Sequence, residues 1–288
     1  QRITAALVLG FADPLVNRLL GVDGQHEAAM CMVALGSGGS PVRPAPAVQS
    51  LDLPTRPLSA HEIEYPAITE AHAATSLADR AAVAGWRPPA GRSDAPALQG
   101  ILPETPPIEQ VITRRGSSRR FAREPIPLSD WQTVLDVATQ PVASDVAALG
   151  RMTTPYLIVN AVDDLAVGAY VYRDHDLQPL KRGDFRREAG YLDLGQELAA
   201  DAAVNVYSLC SLRDLLTRVG DRAYRAAQLE GALEGGRLYL AAYALGLGAT
   251  GLTFFDDDVT RFFGVPDQAV MFLTALGKPR RTRGSTAR

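Results

Sequence analysis

"ALGLGATGLTFFDD", Ala244 to Asp257, decides the fold, because it carries a literal G-x-G-x-x-G at Gly246, Gly248 and Gly251. A dinucleotide fingerprint needs a strand before its glycines and a helix that starts within them, since the pyrophosphate rests on that helix's N-terminal amides. Here the order is reversed. "DRAYRAAQLEGALEGGRLYLAAYALGLG" reads as a long Ala-rich helix that ends at the glycines, and an extended segment follows. No acidic residue lies about twenty positions later on a second βα unit. The pattern therefore argues against a Rossmann site. One glycine is enough to end a helix, so three in six residues predict backbone that comes close to something flat or bulky.

The second informative stretch is "RRGSSRRF", Arg114 to Phe121. Arg115, Ser117 and Arg119 alternate, and in an extended segment alternate side chains share one side. Planar guanidinium groups make paired hydrogen bonds to phosphate oxygens, and a serine hydroxyl adds a further donor. Such a strip suits a terminal phosphate dianion.

The elements around these stretches mix both types. "PIEQVITRR" reads as a helix opened by proline, and "PLSDWQTVLDVAT" as a helix with Ser129 as N-cap. "PYLIVNAV" reads as a strand, and "GAYVYR" with "LQPLKRGD" as a hairpin. "GYLDLGQELAADA" is predicted to be one helix, "AVNVYSL" a buried strand, "SLRDLLTRVG" a helix ended by Gly220, and "AVMFLTALG" the last strand.

The chain also repeats itself. "FADPLVNRLLGV", Phe11 to Val22, aligns without gaps on "FFDDDVTRFFGV", Phe254 to Val265, and after two extra residues in the first copy "MVALG" falls on "LTALG". Each copy reads turn, short amphipathic helix, glycine, apolar strand. What precedes the second copy has no counterpart before Gln1, so residues 1–36 are expected to be the C-terminal remnant of a first domain. Residues 37–106 read as a Pro/Gly-rich linker with short helices, 107–280 as the main domain and 281–288 as a basic tail.

Composition narrows the class. The 288 residues are 47% hydrophobic with a formal charge of -3, which suits a globular protein and gives no reason to expect nucleic acid or a membrane as partner. Cys31 and Cys210 lie far apart without a C-x-x-C, and the four histidines show no ligand spacing, so no metal site is expected and a reducing cytoplasm is the default. "LYLAAYALGLGATGLTFF" reaches the length of a membrane span, but Arg237 precedes it, acids follow and glycines interrupt it; a buried helix and a turn are expected instead. The chain opens on Gln1 without a signal-peptide pattern and reads as a fragment.

Taken together, R-x-S-x-R-x-F after a first helix, "EPIPLSDWQTVLDVAT", and the distant "GRLYLAAYALGLGATGLTFFDDDVTRFFGVP" and "FLTALGKP" resemble the nitroreductase family. "GAYVYRDHDLQPLKRGDFR" and "LTRVGDRAYRAAQLEGALEGGRLYLAAYALGLGA" resemble its SagB-type, thiazole/oxazole dehydrogenase-like branch. The resemblance covers roughly 105 to 280, with 3 to 36 as the end of a preceding copy. It implies an α+β flavoprotein with a central, mostly antiparallel sheet flanked by helices, dimeric, with FMN at the interface of a homodimer.

The resemblance puts the FMN phosphate on Arg115, Ser117 and Arg119, and the isoalloxazine beside Gly248, Ala249, Thr250 and Gly251. Arg280 or Arg281 would complete the phosphate site. The implied activity is FMN-dependent oxidation by hydride transfer to flavin N5, acting on a small-molecule or peptide substrate such as a peptide-derived heterocycle in natural-product biosynthesis. The alternatives are an NAD(P)H-dependent nitro or quinone reductase and a flavin-free scaffold. The scaffold reading rests on "QPVASDVAALGRMTTP", residues 140–155, where only Pro141 and Ser144 echo the P-S-x-G-G-x-x-P-like loop of many relatives. No catalytic base is named, and Tyr170, Tyr172 and Tyr224 read as packed tyrosines rather than proton donors.

Overall fold

A computed structural model describes residues 4–36, 47–51, 53, 54, 56, 59–86 and 104–280. The chain divides into two compact units, one of Gln1–Asp94, Pro141–Gly150 and Asp214–Ala226, the other of Ala95–Gln140, Arg151–Arg213 and Ala227–Arg288.

In the first unit β1 (Ala5–Val8), α1 (Asp13–Leu20) and β2 (Met32–Leu35) are followed by α2 (Pro66–Ala74) and α3 (Arg80–Trp86), and β1 pairs antiparallel with β2. An ionic cluster is buried in this unit. The Asp13 carboxylate is buried and takes the guanidinium groups of Arg222 at 2.8 Å and Arg225 at 2.7 Å, with the Leu77 amide at 2.8 Å. Arg222 also donates to the carbonyls of Leu9 (2.8 Å) and Thr75 (3.0 Å) and lies over the Phe11 ring; Arg225 reaches Thr75 Oγ1 (2.8 Å) and the His72 carbonyl. Burial works against the Asp13 charge, but the Leu77 amide and the two guanidinium groups outweigh it and hold the carboxyl below the usual range.

After these elements come α4 (Ile108–Arg114), α5 (Leu128–Ala138), β3 (Thr153–Val159), β4 (Gly168–Arg173), β5 (Asp176–Arg182), α6 (Arg186–Leu192), α7 (Glu197–Asp201) and β6 (Val204–Cys210). Helices α8 (Leu212–Val219) and α9 (Ala223–Ala244), strand β7 (Gly248–Gly251), α10 (Asp256–Phe263) and β8 (Ala269–Gly277) complete the elements among the described residues. Six strands form one antiparallel sheet in the order β5-β4-β3-β6-β8-β7.

The period-two alternation of the central strands sorts their side chains into two cores. Leu157, Val159, Val204 and Val206 face Trp131, Val134 and Leu135 of α5 and Leu238 and Ala242 of α9. Tyr156, Ile158, Tyr207 and Leu209 face Ala189 and Leu192 of α6 and Val259 and Phe263 of α10. The fold is thus α+β, with a central antiparallel sheet flanked by helices.

Helix α9 is held on the sheet by acids. Buried Glu234 receives Arg151 (2.6 Å) and Ser208 Oγ (3.1 Å), and Glu230 receives the amides of Met152 and Thr153 at 2.8 Å each. Burial pushes the Glu234 carboxyl up. Gly235 lets the helix lie against Phe272 of β8, whose ring fills the space a Cβ would need.

Two local expectations fail. Ser129 is not an N-cap: α5 opens two residues earlier than such a cap implies, with Pro127 in the cap position and no side-chain cap. The single helix expected over 190–202 is broken into α6 and α7 at Leu194 (φ 57°) and Gly195 (φ 72°). Gly195 in the left-handed region ends α6 in the manner of a C-terminal glycine, and fully buried Asp193, just before it, accepts the Tyr207 hydroxyl of β6 at 2.9 Å.

The internal repeat has matching local geometry. Strand β1 and helix α1 fall at the same spacing as β7 and α10 in the second copy. Both helices end on left-handed glycines, Gly21 (φ 74°, ψ 23°) and Gly264 (φ 74°, ψ 30°), whose following amides close on Asn17 and Thr260. The strand registers differ by one residue: Ala5 pairs with Leu35, whereas Gly248 pairs with Gly277.

Asp13→Ala leaves two buried guanidinium groups without their carboxylate, and is expected to cost about 3–5 kcal/mol in denaturant unfolding. Asp193 has one carboxylate oxygen without a partner, and burial raises its pKa to about 8. Since the folded pKa lies above the unfolded value, its contribution to stability is full at acid pH and is lost as pH rises through about 8. Asp193→Asn should therefore lose less thermal stability than the parent between pH 5 and pH 9, as followed by circular dichroism.

Candidate functional site

The glycine run and the basic strip meet at the outer edge of β7. Helix α4 ends at Arg114, Arg115 is extended (φ -62°, ψ 146°), and the Ser118 amide donates to the Ala249 carbonyl at 2.9 Å. The chain then runs antiparallel to the segment after β8. The Ala122 amide donates to Lys278, Phe121 bridges Pro279, and the Arg280 amide donates to Arg120 at 3.0 Å. Phe121 and Ser118 are buried, while Arg115, Ser117, Arg119 and Arg280 are exposed. Two inward side chains thus pin a strip whose remaining donors face solvent.

Gly248 makes this approach possible. A Cβ built on it would overlap the Ser118 side chain and touch Pro279. Ala249 and Thr250 are buried in the sheet, and only Gly251 of the four turn residues is exposed. The first three therefore shape the edge with backbone, and Gly251 presents it. Its amide donates to the Tyr239 hydroxyl, which also lies 3.4 Å from Ser117 Oγ, and the Arg115 guanidinium sits 5.9 Å from the Tyr239 ring centre. One turn later on α9, Tyr243 contacts Ser118 Oγ at 3.4 Å and accepts Arg114 at its carbonyl.

Arg281 lies outside the described residues. Sequence reasoning missed Ser118, Tyr239 and Tyr243. The i, i+4 spacing of the two tyrosines just before the glycines was the available signal, since it puts both on one helix face.

Chemically the edge is rich in donors. No carboxylate pairs with Arg115, Arg119 or Arg280 among the described residues, and the Ser117 hydroxyl and the Arg115 guanidinium both lie at Tyr239. Three guanidinium groups, a hydroxyl and an exposed backbone amide fit a phosphate dianion joined to a flat polar ring. Tyr170 and Tyr172 are in the core: Tyr170 donates to Ala166, and Tyr172 donates to Asp136 at 2.7 Å, with burial raising its pKa. Neither is a ready proton donor.

The family model described as the nitroreductase family matches residues 112–278, more than half of the chain. The chain belongs to the nitroreductase family. Among solved structures, a candidate nitroreductase from Anabaena variabilis is 25% identical with a TM-score of 0.71, over 96% of this chain and 61% of that one. This chain thus spans about three fifths of that relative's length. A second, from Ralstonia eutropha, is 17% identical with a TM-score of 0.52, over 68% of this chain and 95% of that one. A chain of the E. coli microcin synthetase McbBCD complex, bound to truncated pro-MccB17, is 15% identical with a TM-score of 0.52, over 72% and 84%. The last two are likenesses of fold. No curated protein matches the chain.

Gly248→Ala is expected to push Ser118 off Ala249 and to cost about 1–3 kcal/mol. Thermal unfolding measures the loss, and faster hydrogen exchange of the Ser118 amide locates it.

Proposed function

We propose that this nitroreductase-family protein is an FMN-dependent oxidoreductase of the SagB-type branch. The observation that carries the reading is the Ser118–Ala249 pairing, which brings the R-x-S-x-R strip and the glycine run to one sheet edge. Arg115, Ser117 and Arg119, with Arg280 or Arg281, would hold the phosphate, and the backbone of Gly248–Gly251 would lie along the ring.

FMN, when bound, supplies a two-electron acceptor that takes a hydride from a donor carbon and passes the electron pair to a second substrate. The chain's own task is then to bind, orient and shield. Backbone amides such as that of Gly251 are rigid donors whose placement costs no reorganisation when charge develops. The other donors at this edge are guanidinium and hydroxyl groups, which suit them to hold and orient a ligand rather than to move a proton.

The peptide-derived substrate rests on the resemblance of residues 168–186 and 216–249 to the SagB-type branch. The same reading takes residues 1–36 as the remnant of a first nitroreductase-like domain, and expects a homodimer with cytoplasmic residence. Among the described residues no helix is long and apolar enough to cross a membrane.

The visible absorption spectrum after incubation with FMN and gel filtration is the test. A retained flavin band is expected for the parent, and Arg115→Ala with Arg119→Ala should abolish it with the fold intact. A parent that stays colourless overturns the FMN reading in favour of a flavin-free scaffold. A double variant that stays yellow overturns the phosphate assignment.

A further inference from the structure

The two copies of the repeat differ in what flanks their last strand. In the second copy β8 lies between β7 and β6. In the first copy its counterpart β2 pairs with β1 alone among the described residues. The Gly36 amide donates to Thr4 at 2.9 Å, and the backbone groups of an antiparallel strand alternate in direction. Ala34 therefore also turns its N–H and C=O towards β1, while Val33 and Leu35 turn theirs to the free side. In the alignment of "MVALG" on "LTALG" Leu35 falls on Leu276, whose carbonyl accepts the Ala203 amide, next to β6, at 2.8 Å.

Side chains show the same difference. Leu35 is 71% exposed and Val33 54% exposed, whereas their matches Leu276 and Thr274 are buried and lie opposite Val204 and Val206 of β6. Leu20 of α1 is 37% exposed, whereas its match Phe263 is buried with its ring centre 5.4 Å from that of Tyr207, also on β6. Tyr207 pairs with Leu273, the match of Met32. Backbone groups, strand side chains and helix of the first copy thus all lack the neighbour that β6 provides in the second.

We propose that the free side of β2 is a docking edge for one further antiparallel strand of the β6 kind, with β-branched residues opposite Leu35 and Val33 and an aromatic ring opposite Met32 that covers Leu20. The strand comes from sequence other than residues 1–288; the Anabaena relative, of which this chain spans about three fifths, has the length to carry one. A second copy of β2 is a poorer occupant, because "MVAL" has no aromatic residue to lie on Leu20. This gives residues 1–36 a present task beyond being the remnant of a first domain, and it is independent of the FMN reading.

Hydrogen exchange of the whole chain, with a synthetic peptide of residues 202–209, AAVNVYSL, as the probe, tests it. Without peptide the Val33 and Leu35 amides should exchange faster than that of Ala34. Excess peptide should slow Val33 and Leu35 and leave Ala34 unchanged, and a peptide of the same residues in scrambled order should slow neither. Val33→Pro removes an N–H that faces away from β1, so the hairpin keeps its own ladder; it should weaken peptide binding about tenfold in fluorescence anisotropy, with the circular dichroism spectrum unchanged. Val33 and Leu35 amides that stay fast in excess peptide, equal slowing by the scrambled peptide, or parental binding by Val33→Pro would each overturn the proposal. Protection of the same amides that grows with chain concentration in the absence of peptide would overturn it too, in favour of a second copy as occupant.

Discussion

The missing side chain at Gly248 is the constraint on which the site depends. Ser118 occupies the space that a Cβ would take, and its amide reaches the Ala249 carbonyl beside it. From it follow the antiparallel run of residues 118–122 beside 278–280, the burial of Phe121 and the outward presentation of the arginines. A larger residue would crowd the place where two motifs far apart in sequence meet.

Buried polar anchors give that edge a fixed frame. Glu230 and Glu234 tie α9 to β3 and β6, so Tyr239 and Tyr243, farther along the same helix, arrive at the edge in set positions. Each anchor is acceptable in a low-dielectric interior because its lone pairs meet several donors. Asp193, with one oxygen unpartnered, is the exception, and its raised pKa is the physical cost. Asp13 plays the anchoring role in the first unit, where two buried guanidinium groups meet its carboxylate.

Sequence by itself determined the element types, the repeat and the family. Strand β8 was readable to the residue, and the order of helix before glycines excluded the Rossmann alternative. These features are local: a run of four to ten residues carries its own period, caps and turn chemistry. Tertiary structure alone decided that Ser118 docks rather than Ser117 and that Tyr239 spans strip and turn. Each of those depends on a partner far along the chain, Tyr239 lying 122 residues from Ser117, and no local pattern records which distant side chain will fill a given gap. The basic strip and the glycine run were legible as separate chemistry, but their meeting was a property of the folded sheet edge.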